Sequence, residues 1–212
     1  NAIQRAVYDE GFVSAAELLR ALRANYEGFE PLRQRLQRVP KYGVDDPSAD
    51  AACDRVLRTV CAAAAGPRTR FGGNLKPMVF NFVWTPGASR ELGAQADGSF
   101  AGDRIGHGMT PRSGAMTAGI TAAMKSATSL TYEGVSGGAT TMWDMDEQWV
   151  DFGLMKALLK TFLARGGMIF QGNTTSVKEL EEALEHPDRH PNLIVRVGGF
   201  SARFVARRRH RQ

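Results

Sequence analysis

Two consecutive glycines, Gly198 and Gly199, interrupt a largely apolar run close to the carboxyl end of the chain. Residues 193–197 before them predict a buried strand, and alternating residues follow from Phe200. Glycine weakens a strand because it loses much backbone entropy on folding and adds no side chain to the packing. A chain accepts glycine where the backbone must approach another group closely or adopt a conformation closed to other residues. The pair therefore predicts either a plain tight turn or a backbone position with a function of its own.

A glycine α-carbon can carry chemistry directly. A radical centred on it is stabilised when the α-carbon flattens, because the amide nitrogen donates into the half-filled orbital and the carbonyl group withdraws from it. A β-carbon would clash with neighbouring peptide atoms in that flattened geometry, through the sterics that also restrict φ and ψ. Only glycine suits such a position, although paired glycines on their own are more often simple turns.

Three upstream segments accompany the glycine pair in a fixed order: 40–46 (PKYGVDD), 96–102 (ADGSFAG) and 166–173 (GGMIFQGN). Together with 196–200 (RVGGF), they resemble the sequence blocks of the glycyl radical enzymes, the pyruvate formate-lyase-like superfamily, in which a backbone glycine stores a radical. The chain departs from the usual blocks at Val44, Ser99, Gly198 and Phe200. The family more often has Asn, Arg, a small residue with a side chain, and Tyr at those places.

The resemblance implies that Gly199 is the catalytic residue. The radical loop around it consists of Arg196, Val197, Gly198, Phe200 and Ser201. No cofactor is expected in the chain itself, because a separate activating enzyme with S-adenosylmethionine and a [4Fe–4S] cluster installs the radical in this family. The resemblance also implies a small-molecule substrate, a homodimer as the full-length protein, and an anaerobic, cytoplasmic setting. It requires Gly199 to face an interior that a cysteine thiol can enter.

The segments 200–204 (FSARF) and 141–144 (TMWD) are unlike the formate acetyltransferase pattern. We therefore expect a lyase of the dehydratase or decarboxylase type. A formate C-acetyltransferase is one alternative. Another is a radical-domain spare part that repairs an oxygen-cleaved partner, although the resemblance already begins at Pro40, upstream of such a domain.

Helical and strand-like segments alternate along the chain, which is typical of an α/β fold. Predicted helices cover 13–26, 29–39, 49–65, 115–129 and 147–164, and a further helix begins at the capping box formed by Ser176 and Glu179. Predicted strands cover 78–85, 139–143, 168–171 and 193–197, and 86–113 is a predicted long loop. The resemblance implies part of a ten-stranded-type α/β barrel. Residues 1–100 would belong to the barrel, 101–205 to a glycine radical domain, and 206–212 to an atypical basic tail.

The two cysteines, Cys53 and Cys61, lie two turns apart on the predicted helix 49–65. This placement predicts buried core thiols that are too far apart for a disulfide. Neither has the Gly-Cys-x-Glu surroundings of the family's thiyl-forming cysteine. We therefore expect the chain, which opens on Asn1, to be the carboxyl-terminal part of a longer catalytic subunit and to be inactive alone.

The sequence offers few other candidate site residues. His107 in the predicted loop, with Phe80 and Trp84 on the predicted strand 78–85, are candidates for substrate binding. No metal site is expected, because Pro187 prevents His186 and His190 from pairing on one helix. The net charge of +5 is concentrated in the basic tail, so no nucleic-acid interface is expected. No apolar run approaches the roughly 20 residues that span a bilayer.

Overall fold

A computed structural model describes residues 1–80, 84–112, 114–174, 176–197 and 199–205. The helices are α1 (Ala15–Arg23), α2 (Glu30–Arg38), α3 (Pro47–Ala65), α4 (Thr85–Glu91), α5 (Gly119–Thr128), α6 (Phe152–Ala164) and α7 (Val177–Glu185). A π-helical segment, Gln4–Asp9, and two 3₁₀ turns, Glu147–Trp149 and Pro187–Arg189, complete the helical structure of the described residues. The strands are β1 (Thr140–Met145), β2 (Ile169–Thr174), β3 (Ile194–Val197) and β4 (Phe200–Arg203).

The four strands form two separate two-stranded sheets. β1 and β2 are parallel, with a register that runs from Thr140 opposite Ile169 to Met145 opposite Thr174. Parallel neighbours need a crossover connection, and α6 provides it here. Val79 adds an isolated parallel bridge to Ala139, so a third segment lies beside the start of β1. This β1–α6–β2 unit is the α/β element that the alternating sequence pattern predicts.

Side-chain caps determine where several helices begin. The Ser176 hydroxyl oxygen accepts a hydrogen bond from the backbone N–H of Glu179 at 3.3 Å, which confirms the predicted start of α7. The predicted helix 147–164 is wrong at its beginning. Asp146 accepts from the backbone of Gln148 and caps only the short 3₁₀ turn, whereas Asp151 accepts from Leu154 N–H at 2.8 Å and starts α6. Two aspartates compete to cap this segment, and each starts its own element.

The segment 78–113 differs most from its prediction. Of the predicted strand 78–85, Val79 forms only an isolated bridge, residues 81–83 lie outside the described residues, and Thr85 already begins α4. Pro86 near the start of α4 explains the change, because proline suits the first helical turn and cannot donate to a strand ladder. The predicted loop 86–113 is therefore also wrong over the length of α4.

Three clusters of buried apolar side chains stabilise the described part of the chain. One cluster joins α5, β1 and α6, and Trp143 and Phe162 meet there edge to face with ring centres 6.5 Å apart. A second joins the π-helical segment to α1 and α2 around Tyr26 and Leu36. A third packs α3 against residues near the start of β1 and includes Cys61. Each fully buried large side chain contributes about 1.5–3 kcal/mol of transfer free energy.

Both cysteines lie on α3 and are free thiols, as predicted. Cys61 is buried and Cys53 is partly buried. Among the described helices, none has the length and hydropathy needed to cross a bilayer.

Candidate active site

The glycine pair lies at the tip of an antiparallel β-hairpin. β3 and β4 pair from Ile194 opposite Arg203 to Val197 opposite Phe200, so only positions 198 and 199 connect them. Gly198 lies outside the described residues. Gly199 has φ of +86°, in the region that side chains rarely adopt and glycine enters freely. The backbone conformation therefore favours glycine at this position.

The space around Gly199 is open. A β-carbon built on it would meet no atom within 4 Å, and Gly199 itself is exposed on this chain. The neighbouring apolar side chains are also exposed, Phe200 to 64% and Ile194 to 60%. Among the described residues of this chain, steric crowding is therefore not what selects glycine at this position.

Two amide side chains at the end of β2 anchor the hairpin. The backbone N–H of Gly199 donates to Gln171 Oε1 at 2.7 Å, and Gln171 Nε2 donates to the carbonyl oxygen of Arg196 at 3.4 Å. Asn173 Nδ2 donates to the same Arg196 carbonyl at 2.9 Å and to Asp144 Oδ1 at 2.6 Å. Successive side chains of a strand alternate between its faces, so positions 171 and 173 project from the same face of β2. Side chains of β2 thus form hydrogen bonds with backbone groups on both sides of the hairpin tip.

In the sequence, Gln171 and Asn173 stand out only as members of a family-like block, which predicts no role for their side chains. Their spacing was the available signal. Two carboxamides at i and i+2 near the end of a strand present donors and acceptors on one face, which suits them to hold a neighbouring turn.

The remaining predicted loop residues take ordinary places in the hairpin. Arg196 pairs with Ser201 across the ladder, and Val197 pairs with Phe200. Arg196 contributes its backbone carbonyl to the anchor described above. These residues form one structural unit with Gly199, and their roles in the reaction remain predictions.

Two of the three substrate-binding candidates, His107 and Phe80, lie in segments that contact β1. His107 belongs to a turn whose Met109 N–H donates to the carbonyl of Thr140, and Thr110 Oγ1 accepts from Met142 N–H. These contacts lie on one edge of β1, whereas β2 and its anchor for Gly199 lie on the other. Phe80 directly follows the Val79 bridge on the His107 side, and Trp84 precedes α4 with 68% of its surface exposed. The contacts described do not bring these candidates together with Gly199.

Two tyrosines and one cysteine, all partly buried, pack against the core cluster of α3. The Tyr42 hydroxyl donates to the carbonyl of Met109 at 2.7 Å, and the Tyr132 hydroxyl donates to Ala127 at 2.6 Å. Burial, followed by the nearby Asp50 and Asp54 carboxylates, raises the pKa of Cys53 to about 11. Cys53 therefore stays a neutral thiol at physiological pH, which agrees with a core position.

Metal ligands do not cluster in the part of the chain that the structure describes. No group of three or more His, Cys, Asp and Glu side chains there has an arrangement that could hold an ion. His190 instead approaches two carboxylates of α7, with Nδ1 3.8 Å from Glu179 Oε1 and Nε2 3.5 Å from Glu182 Oε1.

Two family profiles match the chain, one after the other. The pyruvate formate lyase-like profile matches residues 1–84, and the glycine radical profile matches residues 105–205, which contain the hairpin and its anchor. The chain belongs to the glycyl radical enzymes. The family predicted from the sequence blocks is thereby confirmed.

Several members of this family are close relatives of the chain. It is 31% identical to the probable dehydratase YbiW of Escherichia coli strain K12, over 97% of this chain and 27% of the relative. It is 28% identical to the trans-4-hydroxy-L-proline dehydratase of Clostridioides difficile, over 96% of this chain and 26% of the relative. The chain thus spans about a quarter of the length of the curated relatives it matches. Its relatives are mostly dehydratases and other lyases, so the chain belongs to an enzyme family of that kind.

The fold comparison agrees. The glycerol-bound B12-independent glycerol dehydratase of Clostridium butyricum superposes with a TM-score of 0.89 at 27% identity, over 97% of this chain and 27% of the other. The predicted fold class, a part of the α/β barrel of the glycyl radical enzymes, is therefore confirmed.

Proposed function

We propose that this chain forms part of a glycyl radical lyase in which Gly199 stores the radical. The observation that carries the proposal is the conformation of Gly199, a glycine with positive φ and an unobstructed α-carbon, within the residues that the glycine radical profile matches. A side chain at this position would be strained by the backbone conformation, and it would remove the flattened geometry that delocalises the unpaired electron.

The proposed reaction moves one hydrogen atom at a time. A separate activating enzyme, which uses S-adenosylmethionine and a [4Fe–4S] cluster, takes one α-hydrogen atom from Gly199. The Gly199 radical then takes the hydrogen atom from a cysteine S–H group, which restores glycine and leaves a sulfur-centred radical. That radical takes a hydrogen atom from the substrate, and the substrate radical loses its hydroxyl group with a proton as water. The product radical then takes a hydrogen atom back from the cysteine S–H group, and the sulfur radical formed again takes one from Gly199, which restores the Gly199 radical.

We place the participating cysteine outside this chain. Cys53 and Cys61 lie on α3 among apolar side chains and not on a loop beside the hairpin. The relatives are about four times as long as the aligned region, which leaves room for the cysteine and for most of the substrate pocket. The longer protein would also enclose the hairpin that is exposed on this chain, and would form a homodimer.

Relatives named as dehydratases support a dehydratase among the lyases, and relatives named isethionate sulfite-lyase support another kind of lyase as the second candidate. The curated relatives described above are dehydratases, and the solved glycerol dehydratase has the same fold. We therefore propose elimination at a carbon–oxygen bond of a small, polar substrate. The repair function finds less support, because the barrel-family profile already matches from residue 1.

Electron paramagnetic resonance tests the proposal. The full-length protein, activated anaerobically, is expected to give a doublet from the single remaining α-hydrogen, and Gly199→Ala is expected to abolish it. Gly72→Ala is the matched control, since Gly72 also has a positive φ, +81°, and open space around its built β-carbon. A doublet of unchanged intensity in Gly199→Ala would contradict the assignment. Loss in both variants would point to general misfolding, and a circular-dichroism spectrum would detect that.

A further inference from the structure

The two sheets of this region are joined by side chains where a backbone ladder is absent. β3 and β4 form their own two-stranded sheet and do not pair with β1 or β2 among the described residues. The amides of Gln171 and Asn173 provide the contacts between them. These side-chain hydrogen bonds contribute to the orientation of the hairpin tip relative to the sheet.

Gln171 contacts both sides of the turn at once. Its carbonyl oxygen accepts from the N–H of Gly199, and its amide nitrogen donates to the carbonyl of Arg196. The Gln171 carboxamide does both through two separate atoms, whereas a carboxylate has no proton to donate and an aliphatic side chain has neither group. The side chain is 92% buried, and a buried amide is costly unless it is hydrogen-bonded. Its burial is thus compatible with the fold because the hairpin satisfies it.

Asn173 reinforces the same arrangement from the solvent side. Asp144, which lies opposite it in the β1–β2 register, accepts one hydrogen bond from its amide. That contact orients the Asn173 amide so that it also donates to the Arg196 carbonyl. The Arg196 carbonyl, three residues before Gly199, is therefore held by two donors.

We propose that Gln171 is a positioning residue for the radical centre. The proposal rests on the function proposed above for Gly199. The hydrogen bond from Gly199 N–H to Gln171 Oε1 fixes the plane of the peptide whose nitrogen must donate into the half-filled orbital. It also draws the amide proton toward an acceptor and so increases electron density on that nitrogen. The bond therefore stabilises the radical relative to glycine as well as orienting the tip.

The test compares variants of Gln171 in the full-length protein. Gln171→Met keeps the length of the side chain and removes both polar groups. Gln171→Glu keeps an acceptor for Gly199 N–H and loses the donor to Arg196. Gln148→Met is the control, because Gln148 is an exposed glutamine in the 3₁₀ turn before α6. Each protein is measured before activation by amide hydrogen exchange at Gly199, and after activation by the intensity and nitrogen hyperfine coupling of the doublet.

We expect Gln171→Met to accelerate exchange of the Gly199 amide about tenfold, the effect of losing one buried hydrogen bond. We expect a similar fall in radical yield and an altered nitrogen coupling, which a merely structural defect would not change. Gln171→Glu should retain the amide protection and the coupling, and Gln148→Met should match the unmodified protein.

The outcomes separate the two proposals. If the unmodified protein gives no doublet, the proposed function fails, and the exchange measurement still decides whether Gln171 holds Gly199. If the doublet forms and Gln171→Met leaves exchange, yield and coupling unchanged, the positioning role is overturned while the function stands. Should Gln171→Met fail to fold, Gln171→Glu decides. Retained protection of the Gly199 amide and an unchanged nitrogen coupling support the acceptor role of position 171, and loss of both would overturn it.

Discussion

The core around α6 and the hairpin that carries Gly199 are stabilised in opposite ways. In the core, Trp143 and Phe162 are almost fully buried and pack edge to face against each other. In the hairpin, Phe200 and Ile194 are largely exposed, and amide side chains provide the described attachment to the sheet. Burial depends on area and tolerates small shifts, whereas hydrogen bonds fix direction. This chain therefore uses packing where it needs stability, and polar contacts where it needs a defined orientation.

We expect a substitution in the core to cost the most stability. Phe162→Ala should destabilise the protein by about 3–5 kcal/mol, because it removes a buried ring and leaves a cavity beside Trp143. The measurement is urea-induced unfolding followed by tryptophan fluorescence. Phe152→Ala is the matched control on the same helix, because Phe152 is 83% exposed, and we expect it to cost less than about 0.5 kcal/mol. Equal losses in the two variants would contradict the assignment of this region as the main source of stability.

We expect the titration of Cys53 to make the free energy of unfolding depend on pH in the alkaline range. The folded state raises the pKa of Cys53 from 9.0 to about 11, so it retains a proton that the unfolded state releases. The contribution of Cys53 to stability should therefore fall by up to about 3 kcal/mol as the pH rises from about 9 to about 11. Lys41 acts in the opposite direction up to about pH 10.5, because burial lowers its pKa to about 8 in the folded state. Denaturant midpoints measured across this range test the expectation.

Cys53→Ala identifies the source of that pH dependence. Between pH 9 and 10, the stability of the unmodified protein should lose ground to that of the variant as the pH rises, because only the unmodified protein carries the Cys53 thiol. A decline should persist above pH 10, because burial also raises the pKa of the Tyr42 and Tyr132 phenols. An identical profile in Cys53→Ala and the unmodified protein would contradict the buried position of this thiol.

Much of this architecture was predictable from the sequence, and the exceptions have physical causes. Helices α1, α2, α3 and α7 were predictable because apolar periodicity or a capping box marks them locally. The segment 78–91 was not, because its alternating aromatics resemble a strand while Pro86 favours a helix start, and a local pattern cannot decide between them. The split before α6 depends on which of two aspartates caps the helix.

Only part of the candidate site was predictable from the sequence. Gly199 could be found because a glycine pair inside a strand pattern is unusual and lies within a family-like block. Its anchor could not, because the contacts of Gln171 and Asn173 join residues more than twenty positions apart in the chain. Only the folded arrangement brings that strand and that turn together. Gly199 is exposed on this chain, so its burial in an interior, which the resemblance requires, stays a prediction for a longer protein.

Phe200→Ala tests whether a longer protein encloses the hairpin. On this chain, Phe200→Ala should change the free energy of unfolding by less than about 0.5 kcal/mol, because the ring is 64% exposed. In the full-length enzyme, the same substitution should cost several times more if the proposed enclosure of the hairpin buries the ring. Urea unfolding of both proteins, with Phe152→Ala measured beside them, gives the two differences. An equally small cost in the full-length enzyme would mean that Phe200 stays exposed, and Gly199 next to it would then lack the dry surroundings that its proposed radical needs.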